Sequence, residues 1–90
     1  MILEGSGGVE AVVRSVLADV LVLPAAQVEA FTTDTPLFGA LPELDSMAVA
    51  GVLTELEDRL GIVIEDDEVD GEMLESFGAL VAFATAKVRG

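Results

Sequence analysis

Residues 45–61 read DSMAVAGVLTELEDRLG and predict one amphipathic helix with a signal at each end. Apolar residues recur on one face at the helical period; they are Val49, Val52, Leu53, Leu56 and Leu60. Asp45 suits the N-cap position, because its carboxylate can accept a hydrogen bond from a first-turn N–H and favours the positive end of the helix dipole. Gly61 can adopt the left-handed conformation that ends a helix, and Arg59 favours the negative end. Ser46 is then the first helical residue.

Two further helices are predicted around this one. Apolar residues between Val9 and Leu21 follow the same spacing, and Pro24 requires a stop near Leu23. The last helix begins after Ser76, a suitable N-cap, and continues to Val88.

The connecting segments predict little regular structure. Residues 24–44 contain all three prolines and predict a long loop, which Phe38 and Leu41 are expected to anchor to the core. The acidic run 65–72 predicts a loop with one short helical turn, and residues 62–64 could form a strand but have no evident partner. We therefore expect an all-α fold, a small bundle of three main helices plus one short helix, with a long loop between helices one and two. Residues 1–8 are predicted to be a flexible N-terminal segment, and 9–88 a single domain.

Composition and charge limit the kinds of site, location and partner that the protein can have. The 90-residue chain is 52% apolar, contains no cysteine, and carries a net charge of −13. Disulfides and thiolate metal sites are excluded, and a cytoplasmic location is expected. No secretory signal is visible and the apolar runs are too short for stable membrane insertion. The charge disfavours nucleic acid and favours basic protein partners, although it could simply maintain solubility.

Ser46 lacks what a catalytic serine needs. A serine nucleophile requires a neighbouring base, and the chain has no histidine and a single lysine, Lys87, near the far terminus. We predict that the protein is not an enzyme and has no catalytic residues. A serine at a helix N-terminus is instead a good acceptor for a phosphate-linked group added by another protein.

The order of these segments resembles the acyl carrier proteins. The resemblance rests on the loop DTPLFGALPELDSM (34–47), the helix AVAGVLTELEDRLGIVI (48–64) and the last helix SFGALVAFATAKV (76–88), and covers the chain from about Val9 to Val88. It implies that Ser46 carries a 4′-phosphopantetheine arm, transferred from coenzyme A by a Mg²⁺-dependent phosphopantetheinyl transferase. Asp45 matches the residue before the attachment serine, and Met47 matches the apolar residue after it that touches partner enzymes. Both are expected to take part in partner recognition.

The same resemblance implies a function. Such a carrier holds acyl intermediates as thioesters and presents them to acyl-loading and acyl-processing enzymes in fatty-acid, polyketide or related biosynthesis. It shelters the acyl chain between its helices, and a monomer is expected.

Helix two departs from the family in its first turns. Residues 46–54 carry no charge, and Ala48 and Gly51 are predicted to face outward. A glycine inside a helix costs about 1 kcal/mol relative to alanine, which suggests close approach by a partner or a neighbouring segment. We expect partners to dock on this apolar surface, with charge steering from Glu55, Glu57 and Asp58. Met47 in place of leucine, and the missing glycine before Asp45, favour a specialised rather than a housekeeping member.

The sequence allows three alternative interpretations. Asp66, Glu68, Asp70 and Gly71 match positions 1, 3, 5 and 6 of a calcium-binding EF-hand loop, but Phe77 stands where its bidentate glutamate belongs, so no metal site is predicted. Gly5 and Gly7 begin a nucleotide-loop pattern that fails at Glu10, so a linker is the preferred interpretation. An unmodified helical interaction adaptor with the carrier fold stays open.

Overall fold

The computed structural model describes residues 5–90, with side chains from residue 8 onward. The elements are α1 (Gly5–Leu21), α2 (Ala25–Glu29), α3 (Ser46–Leu60), a 3₁₀ turn (Asp66–Glu68) and α4 (Phe77–Arg89). In this part of the chain, β pairing is limited to one isolated bridge between Pro36 and Ser76. The predicted all-α bundle with three main helices is confirmed.

One helix begins earlier than predicted, and one short helix was not predicted. α1 begins at Gly5 rather than Val9, so residues 5–8 are helical instead of forming a linker, while residues 1–4 of the predicted flexible segment lie outside the described residues. Extending a helix that packing already stabilises costs far less than nucleating one, so poor helix formers can join its first turn. α2 was missed inside the predicted loop because a five-residue helix is too short to show a period.

α1 ends in an uncommon way. Val22 has φ 54, in the left-handed region, and its side chain is 85% exposed. The Leu23 N–H donates to the Ala18 carbonyl oxygen over 3.0 Å, which satisfies an acceptor that the end of the helix would otherwise leave free. The helix therefore stops two residues before the predicted limit at Leu23.

α1 is the central element, because it packs against α2, α3 and α4. The core combines one face of each main helix with apolar residues from the connecting segments. Its most deeply buried members are Val9, Val13, Val16, Leu17, Leu37, Val52, Leu56 and Leu80. Leu41 packs against this core as predicted, but the expected anchoring by Phe38 is wrong: its side chain is 51% exposed, and Leu37 is buried instead.

Main-chain bonds join the long loop to the start of α4. The N–H groups of Leu37 and Phe38 donate to the carbonyl oxygens of Glu75 and Leu74, over 3.1 and 2.9 Å. The Gly78 N–H donates to the Thr33 carbonyl oxygen over 3.0 Å, and a Cβ at Gly78 would lie 2.7 Å from that same oxygen. Only glycine lets the two segments approach so closely at this point.

Candidate functional site

Ser46 lies at the amino end of α3, as predicted. Asp45 is the N-cap, and its Oδ1 accepts a hydrogen bond from the Ala48 N–H over 2.8 Å. Ser46 is exposed. The other end of α3 is also confirmed, since Gly61 has φ 65 and the N–H groups of Gly61 and Ile62 both donate to the Glu57 carbonyl oxygen.

A shallow recess of about 280 Å³ opens beside Ser46. Ser46 stands on its rim, and the remaining wall residues are Phe38, Val49, Val69, Asp70, Gly71 and Leu74. We call it the first recess. Its lining is mostly apolar, and Ser46 and Asp70 are its polar residues.

The surroundings of Ser46 fit a phosphopantetheine group. The first N–H groups of a helix have no carbonyl partner within the helix, and with the helix dipole they favour a phosphate at this end. An exposed hydroxyl allows an outside enzyme to reach it, and the first recess offers apolar surface next to it. A separate recess of about 520 Å³ between α1 and α4 includes none of the predicted site residues.

The predicted outward direction of Ala48 and Gly51 is wrong. Ala48 is half-buried and packs against the core. Gly51 faces α1, because a Cβ there would lie 3.2 Å from Cγ1 of Val20. Close approach by a neighbouring segment, one of the two reasons considered for this glycine, is therefore the one that the structure supports. Besides Ser46, the exposed positions on the first half of α3 are Met47, 85% exposed, and Ala50.

Of the three acidic residues predicted to steer partners by charge, Glu55 and Glu57 have bonds within the protein. Glu55 pairs with Arg59 over 3.0 Å, and Arg59 also contacts Asp19 on α1 over 2.8 Å. Hydrogen bonds to Asp19 and Glu55 raise the pKa of Arg59, which stays charged. Glu57 accepts a hydrogen bond from the Ile64 N–H over 2.8 Å. Asp58 is exposed.

The acidic segment after α3 is held by its own bonds. Both carboxylate oxygens of Glu68 lie 2.9 Å from Nζ of Lys87, and one accepts a hydrogen bond from the Glu65 N–H. These contacts hold the pKa of Glu68 below its usual range, the Glu65 N–H being the larger cause. Asp70 accepts a hydrogen bond from the Met73 N–H over 3.0 Å. Within residues 5–90, no three acidic, histidine or cysteine side chains converge into a group that could hold a metal ion.

The sequence interpretation missed the residues that form the far wall of the first recess. Val69 is the clearest of these, and it was passed over as part of an acidic loop. The sequence contains a sign of this role. The other seven residues of 65–72 are acidic or glycine, and Val69 is the one with an apolar side chain. Such a residue in a solvated run is expected to turn inward.

None of the helices between residues 5 and 90 combines the length and apolar character needed to cross a bilayer.

Comparison with known proteins agrees with the geometry. The family described as "Phosphopantetheine attachment site" matches residues 11–84. The solution NMR structure of a holo acyl carrier protein from Nitrosomonas europaea matches with a TM-score of 0.82 and 38% sequence identity, over 93% of this chain and 99% of that one. A search of curated proteins gave no significant match. The chain belongs to the acyl carrier protein family, whose members are carriers rather than enzymes and whose prosthetic group is a covalently attached 4′-phosphopantetheine.

Proposed function

We propose that Ser46 is the residue that receives 4′-phosphopantetheine, and that the protein presents acyl chains to partner enzymes from the amino end of α3. The observation that carries this proposal is the position of Ser46: exposed, first in α3, and on the rim of an apolar recess. The Asp45 carboxylate is engaged with the Ala48 N–H, so it caps the helix rather than acting as a base for the serine.

The polypeptide positions the prosthetic group and shelters the acyl chain. When attached, the prosthetic group supplies a terminal thiol that holds the acyl chain as a thioester. The helix N-terminus stabilises the charge of the phosphate, and the first recess gives apolar surface to whatever part of the arm or chain folds back. No histidine or cysteine is present to attack a thioester.

Partners in this proposal are a phosphopantetheinyl transferase and the acyl-loading and acyl-processing enzymes of fatty-acid, polyketide or related biosynthesis. Met47, 85% exposed next to Ser46, is the apolar contact that they would bury, and Asp58 and the acidic segment favour basic surfaces on the partner. Because Ala48 and Gly51 face inward, we propose Ala50, rather than these two residues, as the second docking position. The high net charge and the lack of cysteine support a monomer that works in a reducing compartment such as the cytoplasm.

Intact mass spectrometry tests the attachment. The protein is incubated with coenzyme A, Mg²⁺ and a broad-specificity phosphopantetheinyl transferase. We expect a gain of one phosphopantetheine in the wild type and in Ser15→Ala, a matched exposed serine on α1, and none in Ser46→Ala. Unchanged mass in the wild type would overturn the proposal and favour the unmodified adaptor, whereas modification of Ser46→Ala would place the arm elsewhere.

The loading rate tests the docking surface. Met47→Ala should lower kcat/KM for the transferase several-fold, because an exposed apolar contact is lost. Val63→Ala, which removes another exposed apolar side chain outside this surface, should leave the rate unchanged. Equal rates for the two variants would contradict docking at Met47.

A further inference from the structure

A second recess follows the first along α3. It has a volume of about 210 Å³, and its lining residues other than Val69 are Ala50, Leu53, Thr54, Glu57, Ile64 and Asp66. Val49 lines the first recess and Leu53 the second, and residues four apart lie on the same face of a helix, one turn from each other. The two recesses are therefore consecutive sections of one groove that starts at Ser46.

Val69 is the residue that the two recesses share. We propose that its side chain is a partition that closes the first recess and thereby limits the length of acyl chain the protein can shelter. This inference rests on the proposed function, because it concerns the chain carried from Ser46. The residue that sets specificity for chain length then lies in the acidic segment and not in a helix.

Local bonds hold the partition in place. Val69 is half-buried, packs against the core, and its N–H donates to the Asp66 carbonyl oxygen over 3.2 Å. The preceding residue, Glu68, is fixed to Lys87 on α4 through both carboxylate oxygens. Because its own N–H and the residue before it are both held, the Val69 side chain can form a wall.

The two sections of the groove differ in chemistry. The first recess has apolar walls, whereas the second has Thr54, Glu57 and Asp66 in its lining. Methylene groups entering the first recess gain the free energy of apolar burial, and those beyond Val69 gain less because the surface there is polar. The structure thus favours short to medium saturated chains, with little gain for longer ones.

The experiment measures shelter as a function of chain length. The holo protein is acylated with a series of saturated chains, and the rate of thioester cleavage by hydroxylamine is compared with that of the same acyl group on free pantetheine. Each buried methylene should increase protection by up to about fourfold, until the chain reaches Val69 and protection levels off. Amide chemical shifts of Leu53 and Ile64, measured by NMR on the same samples, report whether the chain enters the second recess.

Val69→Ala should move the plateau to longer chains, with about fourfold or greater added protection beyond the wild-type limit. Val69→Ile should move it to shorter chains. Val63→Ala is the matched control, since Val63 is exposed in the same connecting segment and lines neither recess. Circular dichroism confirms that each variant is folded, and the opposite shifts expected for Val69→Ala and Val69→Ile separate a partition from general loosening.

The experiments distinguish failure of the Val69 partition from failure of the proposed function. A holo protein that forms normally, with the same plateau in the wild type and both Val69 variants, would overturn the partition and leave the proposed function intact. Failure of the wild type to gain the arm in the mass spectrum would overturn both. Shifts of Leu53 and Ile64 in wild-type protein with the shortest chains would also contradict the partition.

Discussion

Leu56 and Glu57 are neighbours in sequence but lie on different sides of α3, because successive residues are about 100° apart around a helix. The two sides are built differently. The side that faces α1 is closed by apolar packing: Leu56 and Val52 are fully buried, and Gly51 lets Val20 approach closely. The side of Glu57 faces residues 62–75, which we call the wall segment, and there the contacts leave two recesses. The side that faces α1 therefore stabilises the fold, and the side of Glu57 leaves the recesses open.

The wall segment is buried in the core at Met73 and Leu74, Ile64 and Val69 pack partly against that core, and polar bonds attach the segment at a few further places. Glu57 holds its beginning through the Ile64 N–H, Lys87 holds its middle through Glu68, and main-chain bonds hold its end beside residues 33–38. Such an arrangement can yield locally without unfolding the bundle, because few buried apolar contacts are lost when one attachment opens. A carrier that must admit and release an acyl chain needs one side of α3 that stays packed and one side that can open.

The largest effect is expected on the packed side. Leu56→Ala should lower the free energy of unfolding by about 3 kcal/mol, because it leaves a cavity among fully buried side chains. Urea denaturation followed by circular dichroism measures it. The matched variant Leu53→Ala, on the half-buried side toward the second recess, should cost clearly less. Equal losses for the two leucines would contradict the contrast between the sides.

The sequence was sufficient to predict the regular parts of the molecule. α3 was predicted at both ends because its signals are local: Asp45 caps with its own carboxylate, and Gly61 adopts the left-handed angle that ends a helix. The position of Ser46 followed from the same cap. Ser76 at the start of α4 was predicted for the same reason.

Features that depend on distant residues could not be predicted in this way. The direction of Gly51 is set by Val20, thirty-one positions earlier, and the period of α3 alone did not distinguish a helix neighbour from solvent or a partner. Phe38 and Leu37 are adjacent, and only the main-chain bonds to Leu74 and Glu75 decide which side chain turns inward. The first recess combines residues from the long loop, α3 and the wall segment, so no single stretch of sequence contains it.

A smaller effect is expected where the wall segment begins. Glu57→Ala should lower the free energy of unfolding by about 1 kcal/mol, because the Ile64 N–H loses its acceptor. Glu57→Gln keeps an oxygen acceptor and should recover most of that loss. Comparing both variants in the transferase assay tests the remaining prediction for Glu57, partner recognition. If Gln restores stability but not the loading rate, the charge serves partners. If Gln restores both, Glu57 acts as an attachment for the wall segment.

The smallest effect is expected from the Glu68–Lys87 pair, and it should depend on pH. The side chains are 30% and 25% exposed, so solvent screens the pair and its contribution is modest. Because the Glu65 N–H and Lys87 lower the pKa of Glu68 in the folded state, the carboxylate stabilises the fold above its ordinary pKa of 4.5. This stabilisation is lost as the pH falls through the lowered pKa of the folded protein.

The difference in urea midpoint between the wild type and Glu68→Gln should therefore be constant from pH 7 to about pH 5.5 and then shrink as the pH falls below 4.5. Taking the difference between the two proteins removes the titration of carboxylates that both share. Asp67→Asn, at an exposed position in the same 3₁₀ turn, is the control for the loss of one negative charge. A gap for Glu68→Gln that stays constant down to pH 3 would show that the carboxylate charge does not hold the middle of the wall segment. The middle of the wall segment would then depend on its apolar contacts, among them Val69, rather than on the ion pair.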